Sequence, residues 1–238
     1  MADATIPVDL FNPGQVFACL GLVEAAEVIL GGAAGRFIWD AAAARFTLCS
    51  AGDANPLEAI LHFLAAAKVS ALRPAASDLE NGQGIPTEDY TPTGTFPTWP
   101  PEKKARLVAR LSTGDTRHLE LNYWGEVAGC DRVKFWGGNR TAPGITQKAL
   151  GWVGGADPSD PCEHSAPCGG VFRFDPRGSY LPLDSGFSLN EHKPTVTMIG
   201  FPVTEILAGL GLTYARPIAA HKIRYQYTIL GNTPVMPP

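Results

Sequence analysis

An α+β fold is what this chain predicts: an antiparallel sheet covered by helices and interrupted by long Pro/Gly-rich insertions. Three observations carry that reading. Two segments begin with the same helix-starting chemistry, Asn12-Pro13 and Asn55-Pro56. Several short stretches alternate aromatic or β-branched residues with polar ones, the period of a half-buried strand. The 26 Gly and 21 Pro among 238 residues break the chain too often for a helical bundle. Helices and strands mix without strict alternation, which favours α+β over a doubly wound parallel sheet.

The elements follow in order. Asn12 is a good N-cap, and Pro13 suits the first helical position because its missing N–H would be unpaired there. The helix runs to Leu30 and stops at Gly31-Gly32. Apolar residues cover almost its whole circumference, so it is expected to be buried, with Glu24 and Glu27 as its wet stripe. Arg36-Phe37-Ile38-Trp39 and Arg45-Phe46-Thr47-Leu48-Cys49 predict a hairpin. Asn55-Pro56 opens a second helix with Leu57, Ile60, Leu61 and Leu64 on one face. A strand is expected at 69–72, closed by Arg73-Pro74. Residues 74–101 hold Pro86, Pro92, Pro97, Pro100 and Pro101 and predict a long loop without regular structure, pinned by Tyr90, Phe96 and Trp99.

From residue 103 the pattern is β-rich. Strands at 107–111 and 119–124 flank the turn Thr113-Gly114-Asp115, although 103–110 also reads as helix. A short helix is expected near 145–153, a Gly/Pro loop over 154–170, and a strand at Val171-Phe172-Arg173-Phe174-Asp175. Phe201-Pro202 opens the last helix, and 223–229 is strand-like. The chain thus divides into an N-terminal α/β unit (1–73), a Pro-rich linker or insertion (74–101) and a β-rich C-terminal unit (102–238), or into one composite of all three. The first helix carries Ala18-Cys19-Leu20-Gly21-Leu22 and the last Ala208-Gly209-Leu210-Gly211-Leu212. This echo fits a duplicated strand–helix unit, but it is read rather as glycine allowing a helix to pack closely on a sheet.

Charge narrows the function. The formal balance is −4, but residues 1–102 hold 4 basic against 12 acidic residues and residues 103–238 hold 15 against 11. An acidic front half argues against a sequence-independent nucleic-acid coat. It leaves room for local phosphate contacts from the back half and for docking on a basic partner. No run of about 18 uninterrupted apolar residues occurs. The N-terminus lacks the positive charge of a secretory signal, and five scattered cysteines do not form a disulfide framework. A cytoplasmic protein is expected, with no membrane association.

Three chemistries remain. Cys162, His164 and Cys168, completed by Cys130 or Asp160, could hold a structural zinc, although free loop thiols fit the spacing better. Arg132, Lys134, Trp136, Gly137, Gly138 and Arg140, with Arg173 and Arg177, combine charge, a stacking ring and close backbone approach, as an RNA-binding surface needs. His192, Lys193 and Tyr180, or Asp175 with Asp184, could perform acid–base chemistry in metal-free RNA cleavage. No phosphate-binding loop, nucleophile elbow or His-Glu-x-x-His helix is present. No cofactor is expected.

The run from Pro7 through Asn12-Pro13-Gly14-Gln15-Val16-Phe17-Ala18-Cys19-Leu20-Gly21-Leu22 to Ala25 resembles the opening of small accessory proteins from type I-G (formerly I-U) CRISPR–Cas loci. Lys134-Phe135-Trp136-Gly137-Gly138, Asp184-Ser185-Gly186-Phe187-Ser188 and Pro202-Val203-Thr204-Glu205-Ile206-Leu207-Ala208-Gly209-Leu210-Gly211-Leu212 with Arg216-Pro217 extend the likeness. The resemblance implies antiviral defense and a ferredoxin-like RNA-binding fold of the repeat-associated type. It also implies guide RNA and other CRISPR-associated proteins as partners, and it brings no catalytic residues with it. A non-enzymatic accessory or effector subunit is therefore expected, with a metal-independent endoribonuclease and a protein-only adaptor as alternatives.

Overall fold

The computed structural model describes residues 1–75, 82–90, 107–126, 133, 140–168, 171–178, 199–221 and 224–229. Strand β1 (Ala2–Pro7) leads into α1 (Pro13–Leu30), followed by β2 (Ala34–Trp39), β3 (Ala44–Ser50), α2 (Pro56–Ala66) and β4 (Lys68–Pro74). After β5 (Thr87–Tyr90) come β6 (Val108–Ser112), β7 (His118–Leu121), the short α3 (Tyr123–Glu126), α4 (Ala142–Leu150), α5 (Pro202–Ala215), β8 (Ile218–His221) and β9 (Arg224–Gln226). The fold is α+β, as the sequence predicts.

Both Asn-Pro helix starts form as expected. Asn12 Oδ1 accepts the Gln15 N–H at 3.3 Å, and Asn55 Oδ1 accepts the Leu57 N–H at 3.0 Å. At the far end of α1, Gly31 takes φ +76° and ψ 142°, a backbone region nearly reserved for glycine. Glu24 and Glu27 lie half-buried on the edge of α1, not in its core. Glu27 caps the chain beyond the helix by accepting the Ala33 N–H at 2.6 Å, and Glu24 accepts the Tyr214 hydroxyl.

The first sheet is antiparallel, in the order β1-β3-β2. Its inner face, with Ile6, Phe37, Phe46 and Leu48, is buried and packs on α1. The second sheet runs β5-β4-β6-β7, with β4 and β5 parallel and the other pairs antiparallel. On it, Arg110 sits between Glu88 at 3.2 Å and Glu120 at 2.7 Å and lies over the Tyr90 ring. Strands β8 and β9 form a separate antiparallel pair.

Helix α1 is the centre of the molecule, touching the first sheet, α2, β7 and, most extensively, α5. By length and composition it could cross a membrane; here it is the core helix. Its approach to α5 explains the Gly21/Gly211 echo. A Cβ on Gly21 would stand 2.0 Å from the Leu207 carbonyl oxygen, and one on Gly211 would stand 2.0 Å from that of Phe17. Gly21 and Gly211 let two helices touch backbone to backbone, which corrects the expectation of a helix pressed on a sheet at these two positions. A Cβ on Gly209, by contrast, would stand 2.8 Å from Leu121 of β7, as that expectation has it.

Three other expectations change. The 74–101 segment is not wholly irregular, since Thr87–Tyr90 pairs with β4. The strand expected at 119–124 ends at Leu121, and Tyr123 starts α3, which drops Trp124 into the core with none of its surface exposed. Residues 171–175 belong to no strand, although Phe172 and Phe174 are buried as alternation requires. The reason lies in the site described next.

Candidate functional site

A dense polar cluster lies where segment 171–178 crosses the N-terminal ends of α1 and α5. Each participant follows from a local rule. Pro13 and Pro202 open the two helices, so backbone N–H groups are concentrated there and acceptors are favoured nearby. Glu205, in the first turn of α5, accepts the Phe174 N–H at 3.1 Å and the Asp175 N–H at 3.0 Å. One carboxylate thus supplies the acceptors that a neighbouring strand would have supplied. With Arg173 just ahead of Phe174 and Asp175 in the left-handed region (φ +71°), the segment departs from strand geometry and joins no sheet.

Asp175 takes the reciprocal role toward α1. Its carboxylate accepts Asn12 Nδ2–H at 3.0 Å while Asn12 caps the helix through its other side-chain atom. The two backbones nearly touch, since a Cβ on Gly14 would lie 2.8 Å from the Asp175 nitrogen. Asp175 also accepts from the Arg177 backbone at 2.9 Å and from Arg177 Nη2 at 2.8 Å. The Arg177 guanidinium continues to Glu163 and to the Cys162 carbonyl at 2.7 Å, and stacks 4.0 Å above the Phe201 ring. Beneath the junction, Trp124, Phe172 and Phe174 stack in sequence, and the Trp124 indole donates to the Val133 carbonyl at 2.8 Å.

The electrostatics are those of a sealed joint. Glu205 is fully buried, and desolvation pushes it up to about 7 against the pull of the backbone N–H groups it accepts. Burial opposes the Arg177 charge, but its bonds to Asp175 and Glu163 outweigh that and raise its pKa. Arg173 holds a left-handed backbone conformation, φ +71°, which costs about 1 kcal/mol or more for a residue with a Cβ. Asp175 and Glu205 are each 1% exposed, so neither carboxylate can reach a substrate from solvent. The cluster ties four chain segments together, the starts of α1 and α5, 161–163 and 171–178, and its two buried carboxylates are closed to solvent.

The positions nominated from sequence fare differently. Arg132, Lys134, Trp136, Gly137, Gly138, Tyr180, His192, Lys193, Asp184 and Cys130 lie outside the described residues. Arg140 is half-buried just ahead of α4. Arg173 and Arg177 both belong to the joint, and the Arg177 charge is met by Asp175 and Glu163, so this guanidinium serves the fold before any phosphate. Asp175, weighed as an acid–base group, is a buried tie.

The zinc candidate is corrected. Among the described residues no three His, Cys, Asp or Glu side chains are grouped to hold a metal, and Cys162, His164 and Cys168 do not converge. Cys162 is buried against α5, where desolvation pushes its thiol up to about 12. Cys168 lies under Gly200 and is pushed up to about 11, again by burial. The His164 ring turns instead to the Trp152 carbonyl at 2.7 Å. Asp160 is raised by partial burial and by Glu163.

Sequence reasoning missed Glu205 and Asn12 as partners of the 171–178 segment. The signal for Glu205 was present, since it is the one charged residue in the apolar run from Pro202 to Leu212. Two surface concavities are lined by described residues. A polar cleft of about 220 Å³ is lined by Glu24, His118, Glu120, Asn122, Thr213 and Tyr214. An apolar groove of about 680 Å³ lies between the end of α1 and α2, with Ile29, Leu30, Ala59, Phe63 and Arg117 on its walls. Comparison of the chain with family models, curated proteins and solved structures finds no match.

Proposed function

We propose that this chain is a non-enzymatic accessory or effector subunit of a type I-G CRISPR–Cas system, acting in the cytoplasm by binding other Cas proteins and guide RNA. The observation that carries the non-enzymatic part is the Asn12–Asp175–Arg177 and Glu205 joint. It takes up Asp175 and Glu205, both buried, in holding the helix ends, where solvent does not reach either carboxylate. The two longest segments that carry the family resemblance, 7–25 and 202–212, include the starts of the two helices this joint clamps, so the resemblance and the joint both fall on the scaffold.

Co-purification with the other proteins of its locus, with and without nuclease treatment, tests the reading. Recovery of Cas proteins that survives nuclease supports a protein-docked subunit; recovery lost with nuclease places guide RNA between them. Purified protein that cleaves repeat RNA, with activity lost in His192→Ala, would instead establish the endoribonuclease reading. If no Cas protein and no guide RNA is recovered, the assignment fails.

A further inference from the structure

The first sheet buries one face and leaves the other open, and its register fixes what the open face carries. Ile6, Phe46 and Phe37 stand side by side on the buried face. Side chains alternate along a strand, so Thr5, Thr47 and Arg36 form one row of the opposite face, and Pro7, Arg45 and Ile38 form the next. Thr5, Pro7, Arg36, Ile38 and Arg45 are all exposed. Thr47, in the middle, is buried and shares a hydroxyl hydrogen bond with Thr5 at 2.9 Å. Arg36 and Arg45 are therefore diagonal neighbours on adjacent strands, about 7–8 Å apart and within reach of one another for side chains of this length. Arg73, Arg110, Arg117 and Arg177 each meet a carboxylate at 2.6 to 2.8 Å. Neither Arg36 nor Arg45 is bonded to one among the described residues.

We propose that Arg36 and Arg45, on the open face of the first sheet, hold the phosphate backbone of single-stranded RNA. Residues 1–102 contain 12 acidic and 4 basic residues, yet two of those four bases stand together here, with uncharged Thr47 and Ile38 as their partners on the neighbouring strand. Like charges side by side on a sheet are destabilising. A phosphate between them removes that repulsion and accepts from both guanidinium forks. Three acids lie at the borders of the face. Asp3 occupies the row beyond Thr5, level with Cys49 and Ala34. Asp40, in the β2–β3 turn, is held below the ordinary carboxylate range by the Ala42 and Ala43 N–H groups and then by Arg45, so it offsets part of the Arg45 charge. Asp9, past the end of β1, accepts the Phe11 N–H at 2.9 Å. These carboxylates confine a phosphate strand to the diagonal between the two arginines and make the contact local. Ile38 is the one large apolar side chain on this face and no aromatic ring accompanies it, so the face meets phosphates without stacking bases and lacks the apolar centre of a protein interface.

The proposal rests on the reading above in that guide RNA is taken as a ligand of this chain. The test titrates the full chain, over a series of salt concentrations, with single-stranded RNA carrying the repeat of its locus and with a scrambled RNA of the same length. Arg36→Gln, Arg45→Gln and the double variant keep the aliphatic stem and lose the charge. Arg73→Gln removes the same charge from an arginine already paired with Asp89 at 2.8 Å. Expected for the double variant are a loss of affinity of about tenfold or more on both RNAs and a salt slope shallower by about 0.7 for each arginine removed. Its melting temperature should be no lower than that of wild type, since two neighbouring like charges are gone. Wild-type binding with the double variant within about twofold of it, or no weaker than Arg73→Gln, overturns the sheet-face contact and leaves the functional reading intact. Absence of wild-type RNA binding overturns the contact and the RNA part of that reading, whose protein part is decided separately by co-purification with the Cas proteins. Loss of Cas-protein binding in the double variant at unchanged RNA affinity would make an acidic protein the occupant and also overturn the proposal.

Discussion

Gly21 and Gly211 meet across the α1–α5 crossing with no room for a methyl group on either side: a Cβ on Gly211 would lie 2.5 Å from the Gly21 nitrogen. Both obstacles are backbone, which cannot swing aside as a side chain can. Gly21→Ala and Gly211→Ala should each cost about 3 kcal/mol or more, at or beyond the upper end of the usual overpacking penalty. Gly154→Ala serves as the contrast, since nothing lies within 4 Å of a Cβ there. Urea midpoints of the three variants check this, and near-equal midpoints would show that the helices separate freely.

Glu205 makes stability depend on pH with an unusual sign. Its folded value, about 7, lies above the unfolded carboxyl value near 4.5. The folded state therefore holds this proton more tightly, and stability falls as pH rises from 4.5 to 7, by roughly 3 kcal/mol for this group alone. Glu205→Gln removes the titration and should flatten that slope. The informative quantity is the difference between wild-type and variant urea midpoints at pH 5 and pH 8. Parallel pH profiles for the two proteins would place the titrating group elsewhere.

Which parts of this architecture were legible in the sequence follows a physical line. Helix ends obey local chemistry, so Asn12-Pro13 and Asn55-Pro56 announced α1 and α2. The β2–β3 hairpin was legible because its alternation and its turn are adjacent in the chain. Segment 171–175 showed the same alternation yet forms no strand, because Arg173 is left-handed (φ +71°) and the Phe174 and Asp175 N–H groups are accepted by Glu205, 30 residues away from Asp175. Gly21 and Gly211 were visible as an echo, but only the folded chain shows that they answer each other. Pairing of this kind is long-range, and no window along the sequence contains both partners.

The buried cysteines should be chemically silent. Cys19 is sealed beside Cys162, and burial, then Cys162 itself, raises its thiol well above the ordinary range. Cys162 and Cys168 are raised to about 12 and about 11, also by burial. Since the thiolate is the nucleophile, iodoacetamide at pH 8 should modify native protein at these three positions far more slowly than at half-buried Cys49. Mass mapping of native and urea-unfolded samples reads the contrast. Protein purified without an affinity tag should carry well under one zinc per chain, and stoichiometric zinc would contradict the geometry at Cys162, His164 and Cys168.

Asp175 and Arg177 separate a structural role from an RNA-binding one. The Asp175 side chain has no exposed surface, whereas Glu163, the other acid on Arg177, is 58% exposed. Arg177→Ala leaves a buried carboxylate short of its cation and should cost about 3 kcal/mol, the range for breaking a buried pair. Glu163→Ala removes a partner in water and should cost less than about 1 kcal/mol. If Arg177 were chiefly a phosphate contact, its alanine variant would keep the wild-type melting temperature and lose salt-sensitive RNA affinity. The joint predicts the reverse order: the melting temperature drops by several degrees, with Asn12 uncoupled from the 171–178 segment. Thermal melts and salt-dependent RNA titrations on the same two variants decide between them.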